Sequence, residues 1–447
     1  MSDSRWDSAL PPITPFHPFN GVGEEVRLHD GDIAGVQAAP VPGKLSLSCS
    51  PVLSLDWSVT PSPDSYRESQ DTAVLRIQRF YGEAEIPSWV RNFDDGWTNG
   101  AALGDSKAPL GRIVAHWFNL PRFPGQHHLG DRTEEGDRYW NRGRWIHELE
   151  GWKIVLDVRP DHDEVWEELL RTRLYAMTHT MELSRVDGKH FTATEAAPVL
   201  MALQFGMSFA LGRWTAPLLP VGLGPTEQVA WEEWGVLHCD PARKQSSGWW
   251  DLWDLEALGR FLGGLVSAMT APAGREPLML QLGYAITAIR DQGFVEQRVM
   301  IGAAGLEHAM WERLHLRGVL TRAQYKNTRD WPAHKKLRKV LCGIKVPVSI
   351  DPARLPAIAA FADEMRRRNG GVWDGPAVVT KVRNYLVHPE EDQRELYRIP
   401  GLVTEVWLLT RHYLSLLVLE SLGYRGPHQN LSRIRGMAGE VENTPWP

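Results

Sequence analysis

Cysteine is scarce in this chain. Cys49, Cys239 and Cys342 are spread over 447 positions. Their odd number and wide spacing exclude a disulfide framework or a cysteine zinc site and fit a reducing compartment. A secretory leader is also missing from the start as it reads, because Met-Ser-Asp-Ser-Arg-Trp-Asp-Ser has no basic stretch followed by an apolar one. No apolar run reaches the length of a membrane span without charge. The nearest, 406–422, carries Arg411, His412 and Glu420. Internal repeats and low-complexity linkers are absent too. The expectation is a cytoplasmic protein with no membrane partner.

The residues present are those of a globular protein, 43% hydrophobic and 23% charged. A chain of 447 residues is too long for one ordinary core, so two or three domains are expected. The net charge of −6 conceals an imbalance. From residue 301 onward there are 22 Lys and Arg against 15 Asp and Glu, whereas the first 300 residues hold 27 against 40. Positive charge is the first requirement for contact with a phosphate backbone, and an acidic partner region restricts what approaches. Lys335, Lys336, Arg338 and Lys339 form one basic cluster, and Arg366, Arg367 and Arg368 another. Both are candidate RNA contacts, or solvated helix faces.

The pattern changes along the chain. Residues 1–19 read as a loose tail or an arm laid on the next domain. From 20 to 225, Gly, Pro, Asn and Asp interrupt short β-type runs such as 44–49, 73–80, 111–118 and 153–158. This spacing predicts an antiparallel, sandwich-like domain, with a helix over 163–178 able to cover one face. A helical connector is expected over 226–281 and a helical bundle over 282–426, with a flexible tail at 427–447. Within the bundle a long helix is expected over 279–316, carrying Glu296, Glu307 and Glu312. Helices follow over 322–325, 334–342, 352–369, 376–388 and 399–422. Asn369-Gly370-Gly371 is a helix stop, and Asp374-Gly375-Pro376 a start. The fold class is therefore α+β.

One string carries chemistry. Lys381-Val-Arg383-Asn384-Tyr-Leu-Val-His388-Pro389 places a fixed cation, an amide and a titratable imidazole within two helical turns. At about 100° per residue, Val378, Val379, Val382, Tyr385 and Leu386 share one arc, and Thr380, Lys381, Arg383, Asn384 and His388 the other. Asn384 and His388 are one turn apart, while Arg383 and His388 are separated by about 140°. Pro389 ends the helix and leaves His388 at its terminus. Histidine moves protons near neutral pH and arginine holds a developing phosphate charge, so the set suits phosphodiester cleavage. The same residue types also make an ordinary solvated face. Val387 interrupts the polar arc, as in a face covered by a second protein surface.

This string resembles the signature of the HEPN family (higher eukaryotes and prokaryotes nucleotide-binding), in which Arg is followed, after four to six residues, by His, often with Asn next to the Arg. The resemblance covers about 282–426, and Gly305-Leu306-Glu307 also looks like HEPN proteins of phage-defence type. The order of a β-rich part before the motif resembles ApeA-type abortive-infection proteins. The resemblance implies an up-and-down helical bundle, a homodimer whose motifs meet, and metal-independent RNA cleavage with no cofactor. His388 would move the proton of the 2′-hydroxyl or of the leaving oxygen, Arg383 would stabilise charge at phosphorus, and Asn384 would orient either. Glu307, Tyr397 and Lys381 are possible supporting residues.

Other constellations are weaker. Gln126, His127, His128 and Asp131 offer donor atoms, but adjacent histidines point apart on most backbones and no HExxH spacing occurs. No metal is expected. Asp161-His162-Asp163 reads as a turn and helix cap. Gly302 and Gly305 are not a phosphate loop, since no Gly-Lys-Ser/Thr follows. The 20 tryptophans, with Trp249, Trp250 and Trp253 close together, could stack on sugars or bases or fill cores. Two further readings thus stand beside the ribonuclease: a non-catalytic HEPN-like module binding nucleotide or protein, and a ligand- or carbohydrate-binding sandwich with a helical dimerisation domain. The RNA target, and the trigger sensed by the N-terminal domain, are not legible.

Overall fold

The structure is a computed structural model describing residues 8–37, 39–60, 71–92, 94–133, 136–271, 274–388, 395–433 and 439–446. The chain forms two compact units, residues 1–204 with 214–245, and residues 205–213 with 246–447. The first is rich in antiparallel β-structure and the second is helical, so the fold is α+β.

In the β-rich unit, six strands close a barrel: β1 (Val26–Ala34), β2 (Val41–Ser48), β3 (Ser54–Val59), β4 (Thr72–Arg79), β5 (Gly82–Asn92) and β6 (Asp95–Thr98), in the order β1-β2-β3-β6-β5-β4. Alternation builds its interior, as in β4, where Leu75 and Ile77 are buried and Arg76 is exposed. An eight-stranded antiparallel sheet follows. It comprises β7 (Gly100–Gly104), β8 (Arg112–Phe118), β9 (His127–Thr133), β10 (Gly136–Leu149), β11 (Trp152–Val158), β12 (Met177–Arg185), β13 (Pro217–Leu223) and β14 (Val229–Gly235). Its order is β7-β14-β13-β8-β12-β11-β10-β9. The expected sandwich is thus replaced by a barrel plus a sheet. Alternation specifies which side chains face inward; whether a sheet closes on itself depends on which strands pair over long separations, here β1 with β4.

Helix α1 (His162–Thr172) stops where Arg173 adopts φ 63°, and Met177 already lies in β12, so the helix expected over 163–178 ends early. The 19-residue α2 (Ala193–Leu211), which lies inside the region expected to be β-rich, is apolar nearly all round and shows little periodicity. The strands extend to Gly235, ten residues past the expected boundary. The described part of the N-terminal segment is an arm on the sheet. Leu10 bridges Leu129, and the Ile13 N–H donates to Asp157 Oδ2 at 2.7 Å.

The helical unit contains α3 (Leu255–Thr270), α4 (Arg275–Ile289), α5 (Val295–Met310), a π-helical turn (Trp311–Leu316), α6 (Arg322–Lys326), α7 (Ala333–Gly343), α8 (Pro356–Asn369), α9 (Gly375–Val387), α10 (Glu395–Arg398) and α11 (Leu402–Ser421). The long helix expected over 279–316 is interrupted. The chain leaves α4 at Arg290, turns through Gly293 at φ 74° and re-enters helix at Val295. Helix α11 is the core, almost wholly buried, and α5 packs on it closely: a Cβ on Gly305 would lie 2.7 Å from Leu414 and 2.9 Å from Tyr284. By length and composition α2 and α11 could each cross a membrane, but 83% of the apolar window of α11 is buried within the protein. Its Arg411 stays inside by donating to the Leu431 and Arg433 carbonyls at 2.8 and 2.7 Å. The segment expected to be a flexible tail holds a short antiparallel pair, β15 (Pro427–Gln429) and β16 (Val441–Asn443).

Candidate functional site

Helix α9 is anchored at its start. Asp374 caps it, its carboxylate accepting from the Ala377 N–H at 3.1 Å, and Pro376 occupies the first turn, as the start signal predicts. The same carboxylate receives Arg338 of α7 through two bonds of 2.5 and 2.9 Å. Arg338 therefore also fixes the entry of α9, with its side chain 28% exposed. Val378, Val379, Val382 and Tyr385 are buried, and Thr380, Lys381, Arg383 and Asn384 are partly exposed, so the amphipathic arcs lie as the periodicity predicts. Val387, within the polar arc, is 41% exposed.

The motif residues stand along this open edge. His388 is the C-terminal cap, with φ −107° and ψ 119°, and its N–H donates to the Asn384 carbonyl at 2.8 Å. Its ring is exposed, and Pro389 lies outside the described residues. Asn384 Oδ1 accepts from Arg383 Nη1 at 3.2 Å, so the amide orients the guanidinium; among the described residues no side chain hydrogen-bonds the His388 ring. Arg383 Nη2 lies 3.1 Å from Glu307 Oε1, with the two side chains 27% and 49% exposed. Glu307 comes from α5, so the two sequence-predicted elements do meet.

Two further groups sense Glu307. Lys336 of α7 is buried, its ammonium 4.0 Å above the ring of Tyr325 of α6. Burial holds its pKa below the usual lysine value, and the charge of Glu307 opposes that shift. The Tyr325 hydroxyl is pushed up to about 12 by burial and by Glu307. Glu307 and Arg383 line a narrow cleft of about 20 Å³, with apolar Leu306, Met310 and Leu337 and polar Thr380 and Asn384 among its other walls. It admits little more than one water. Tyr325 was missed by the sequence reading; it sits on a five-residue helix with no signal linking it to the motif.

The other candidates disperse. Lys381 places its ammonium 4.1 Å from the centre of the Tyr385 ring. The Tyr397 hydroxyl donates to Glu296 at 3.0 Å, and burial and that carboxylate raise its pKa. Lys335 donates to the Asp330 carbonyl at 3.3 Å, and Lys339 lies 5.8 Å from the Trp331 ring. Arg366 pairs with Asp363 at 2.5 Å, Arg367 bonds the Asp363 carbonyl at 3.4 Å, and Arg368 pairs with Glu364 at 2.5 Å. Two of the three arginines thus pair with carboxylates of their own helix, and Glu364 is shared with Arg398. Trp249 and Trp250 are wholly buried and form no platform, whereas Trp253 is 68% exposed.

No group of three metal-ligating side chains occurs among the described residues. His127 and His128 are neighbours on a strand, so they face opposite ways, and His128 Nδ1 accepts from the Arg142 N–H at 3.2 Å. Asp161 holds the cap position of α1 without capping it; its carboxylate is drawn to Arg159 at 2.7 and 2.9 Å.

The sequence matches two family models, the YopA central domain over residues 105–245 and the YopA C-terminal domain over residues 275–442. The second match contains all the motif residues. A relative, the SPbeta prophage-derived uncharacterized protein YopA of Bacillus subtilis (strain 168), is 27% identical over 326 residues, which cover 71% of this chain and 69% of the relative. No solved structure matches.

Proposed function

We propose that the helical unit is a metal-independent endoribonuclease of HEPN type, acting in the cytoplasm as a homodimer in phage defence or another stress response. The observation that carries this reading is the grouping of Arg383, Asn384 and an exposed His388 along one open edge of α9. In this mechanism an imidazole takes the proton of the 2′-hydroxyl, the freed oxygen attacks phosphorus, and the 5′-oxygen leaves with a proton from a second acid. The 2′,3′-cyclic phosphate is the product. Arg383 offsets the charge that builds on the phosphoryl oxygens. The second acid is His388 of a symmetry-related copy, and the exposed Val387 beside it suits a covered face. The prophage origin of the Bacillus relative fits a setting of phage–host conflict, with the β-rich unit sensing the trigger.

A second reading has its own support. Arg383 already pairs with Glu307 and the cleft is narrow, as in a non-catalytic module that binds nucleotide or protein. One assay separates them. Matched RNA and DNA oligonucleotides are incubated with the protein in EDTA and the termini analysed. The ribonuclease cuts RNA alone, leaves cyclic phosphates, and loses at least about a hundredfold in rate on His388→Ala with an unchanged melting temperature. Equal cutting by the variant, cutting of DNA, or an absolute need for added magnesium overturns it.

A further inference from the structure

One carboxylate, on α5, pairs with the α9 guanidinium, while an ammonium from α7 lies 4.0 Å over a phenol ring from α6. Glu307 Oε1 lies 3.1 Å from Arg383 Nη2. Its charge is felt by the Lys336 ammonium and by Tyr325, which come from α7 and α6. Asn384 turns its oxygen toward Arg383, which leaves its NH2 directed away from the guanidinium as a further donor. A guanidinium, an ammonium, a phenol that stays protonated and an amide NH2 are the donors used for a phosphate group.

The Arg383–Glu307 pair is built differently from the structural pairs of this protein. Arg338 grips Asp374 with two bonds, and Arg79 grips the wholly buried Glu232. Arg383 meets Glu307 at 3.1 Å, and both side chains reach solvent. Such a pair is weak and exchanges readily. Carboxylate and phosphodiester present similar paired oxygens to a guanidinium.

We propose that Arg383, Lys336, Tyr325 and Asn384 form a phosphate-binding site that Glu307 occupies in the resting protein as a built-in competitor. A phosphodiester displaces the carboxylate from Arg383, so Glu307 sets the affinity threshold for substrate. This rests on the ribonuclease reading only in taking the anion to be an RNA phosphate. Lys336 and Tyr325 become contact residues for it.

The test measures binding without cleavage. A 2′-O-methyl RNA oligonucleotide, which lacks the nucleophile, is titrated into the full chain at low salt, with inorganic phosphate as competitor. Glu307→Gln removes the competing charge and keeps the shape. Binding is expected to tighten by up to about fivefold, the span of an exposed ion pair. Glu307→Ala should tighten it as well, which guards against a folding effect of one variant. Arg383→Ala should weaken binding and erase the gain in the double variant, and Lys336→Ala should weaken it alone. Competition by inorganic phosphate identifies a single phosphate site; its absence, with oligonucleotide binding intact, means that extended backbone contact dominates and overturns the assignment. Equal or weaker binding by both Glu307 variants, or a gain that survives Arg383→Ala, also overturns it. A wild type that binds in this way but cuts nothing would sink the ribonuclease reading and leave this site standing.

Discussion

Each unit contains an arginine–glutamate pair between distant segments, and the two differ in almost every physical respect. In the β-rich unit Arg79 and Glu232 meet through contacts of 2.6 and 3.1 Å, with side chains 9% and 0% exposed. Glu232 also accepts from Tyr81 at 3.3 Å and Trp234 at 3.2 Å. Its lone pairs are saturated, so the charge is tolerated in the interior. In the helical unit Glu307 reaches Arg383 once, at 3.1 Å, and remains half exposed. The lesson is that a carboxylate locked from several sides serves the fold, and one held loosely beside donors is available for exchange.

The histidines divide in a parallel way. In the β-rich unit burial, reinforced by neighbouring cationic groups, holds His17 at about 3 and His179 well below its usual value, while burial alone takes His116 to about 4. In the helical unit burial, with His428 and Arg411 nearby, takes His412 to about 3, while His388 stays at the surface. A histidine whose pKa is depressed by folding is neutral in the native state. The unfolded chain binds its proton first as pH drops, so the stability present above pH 6.5 is lost on the way down to the folded pKa. Each such histidine contributes a loss of up to about 1.4 kcal/mol per pH unit below 6.5. The largest expected effect is therefore acid sensitivity, with the β-rich unit failing before the helical one. Denaturant titrations and limited proteolysis at pH 7, 5.5 and 4.5 check this. Stability that stays level to pH 4.5, or a helical unit that is cleaved first, would break the contrast.

Next in size is the pair comparison itself. Glu232→Gln should cost roughly 3–5 kcal/mol, because it strands a buried guanidinium. Glu307→Gln should cost less than about 1 kcal/mol. Urea unfolding of both variants measures the difference, and similar losses would mean that exposure is a poor guide to what these pairs do. Smallest is the anchor of α9. Asp374→Ala removes a helix cap and an ion partner and should lose about 2 kcal/mol, whereas Arg338→Ala keeps the cap and should lose about 1 kcal/mol. Unfolding curves for the two variants and their combination test this order, and an Arg338 loss equal to that of Asp374 would remove the capping role.

Much of α9 was legible beforehand. Its start at Asp374-Gly375-Pro376, its buried arc and its end before His388 all follow from local rules of capping and periodicity. The break at Gly293 was not read, because apolar residues on both sides continue a helical pattern that the backbone abandons. The uniformly apolar α2 escaped for the opposite reason, having no contrast between faces. The basic clusters were legible as composition only. Whether Arg338 or Arg366 has an acidic partner depends on residues that the fold or the helix turn brings alongside.

By itself the sequence determined the division into a β-rich and a helical part, the faces of the strands and helices, and the three residues of the motif. These depend on neighbours within about four positions, where backbone geometry alone relates the side chains. Tertiary structure alone decided that the first strands close into a barrel, that Arg338 secures Asp374, that Glu307 meets Arg383, and that Lys336 lies over Tyr325. Those outcomes join separate elements, and no local spacing encodes them. They arise because α5, α7 and α9 pack against one another, and charged groups such as Glu307 and Arg383 stay partly exposed where burial would otherwise strand them.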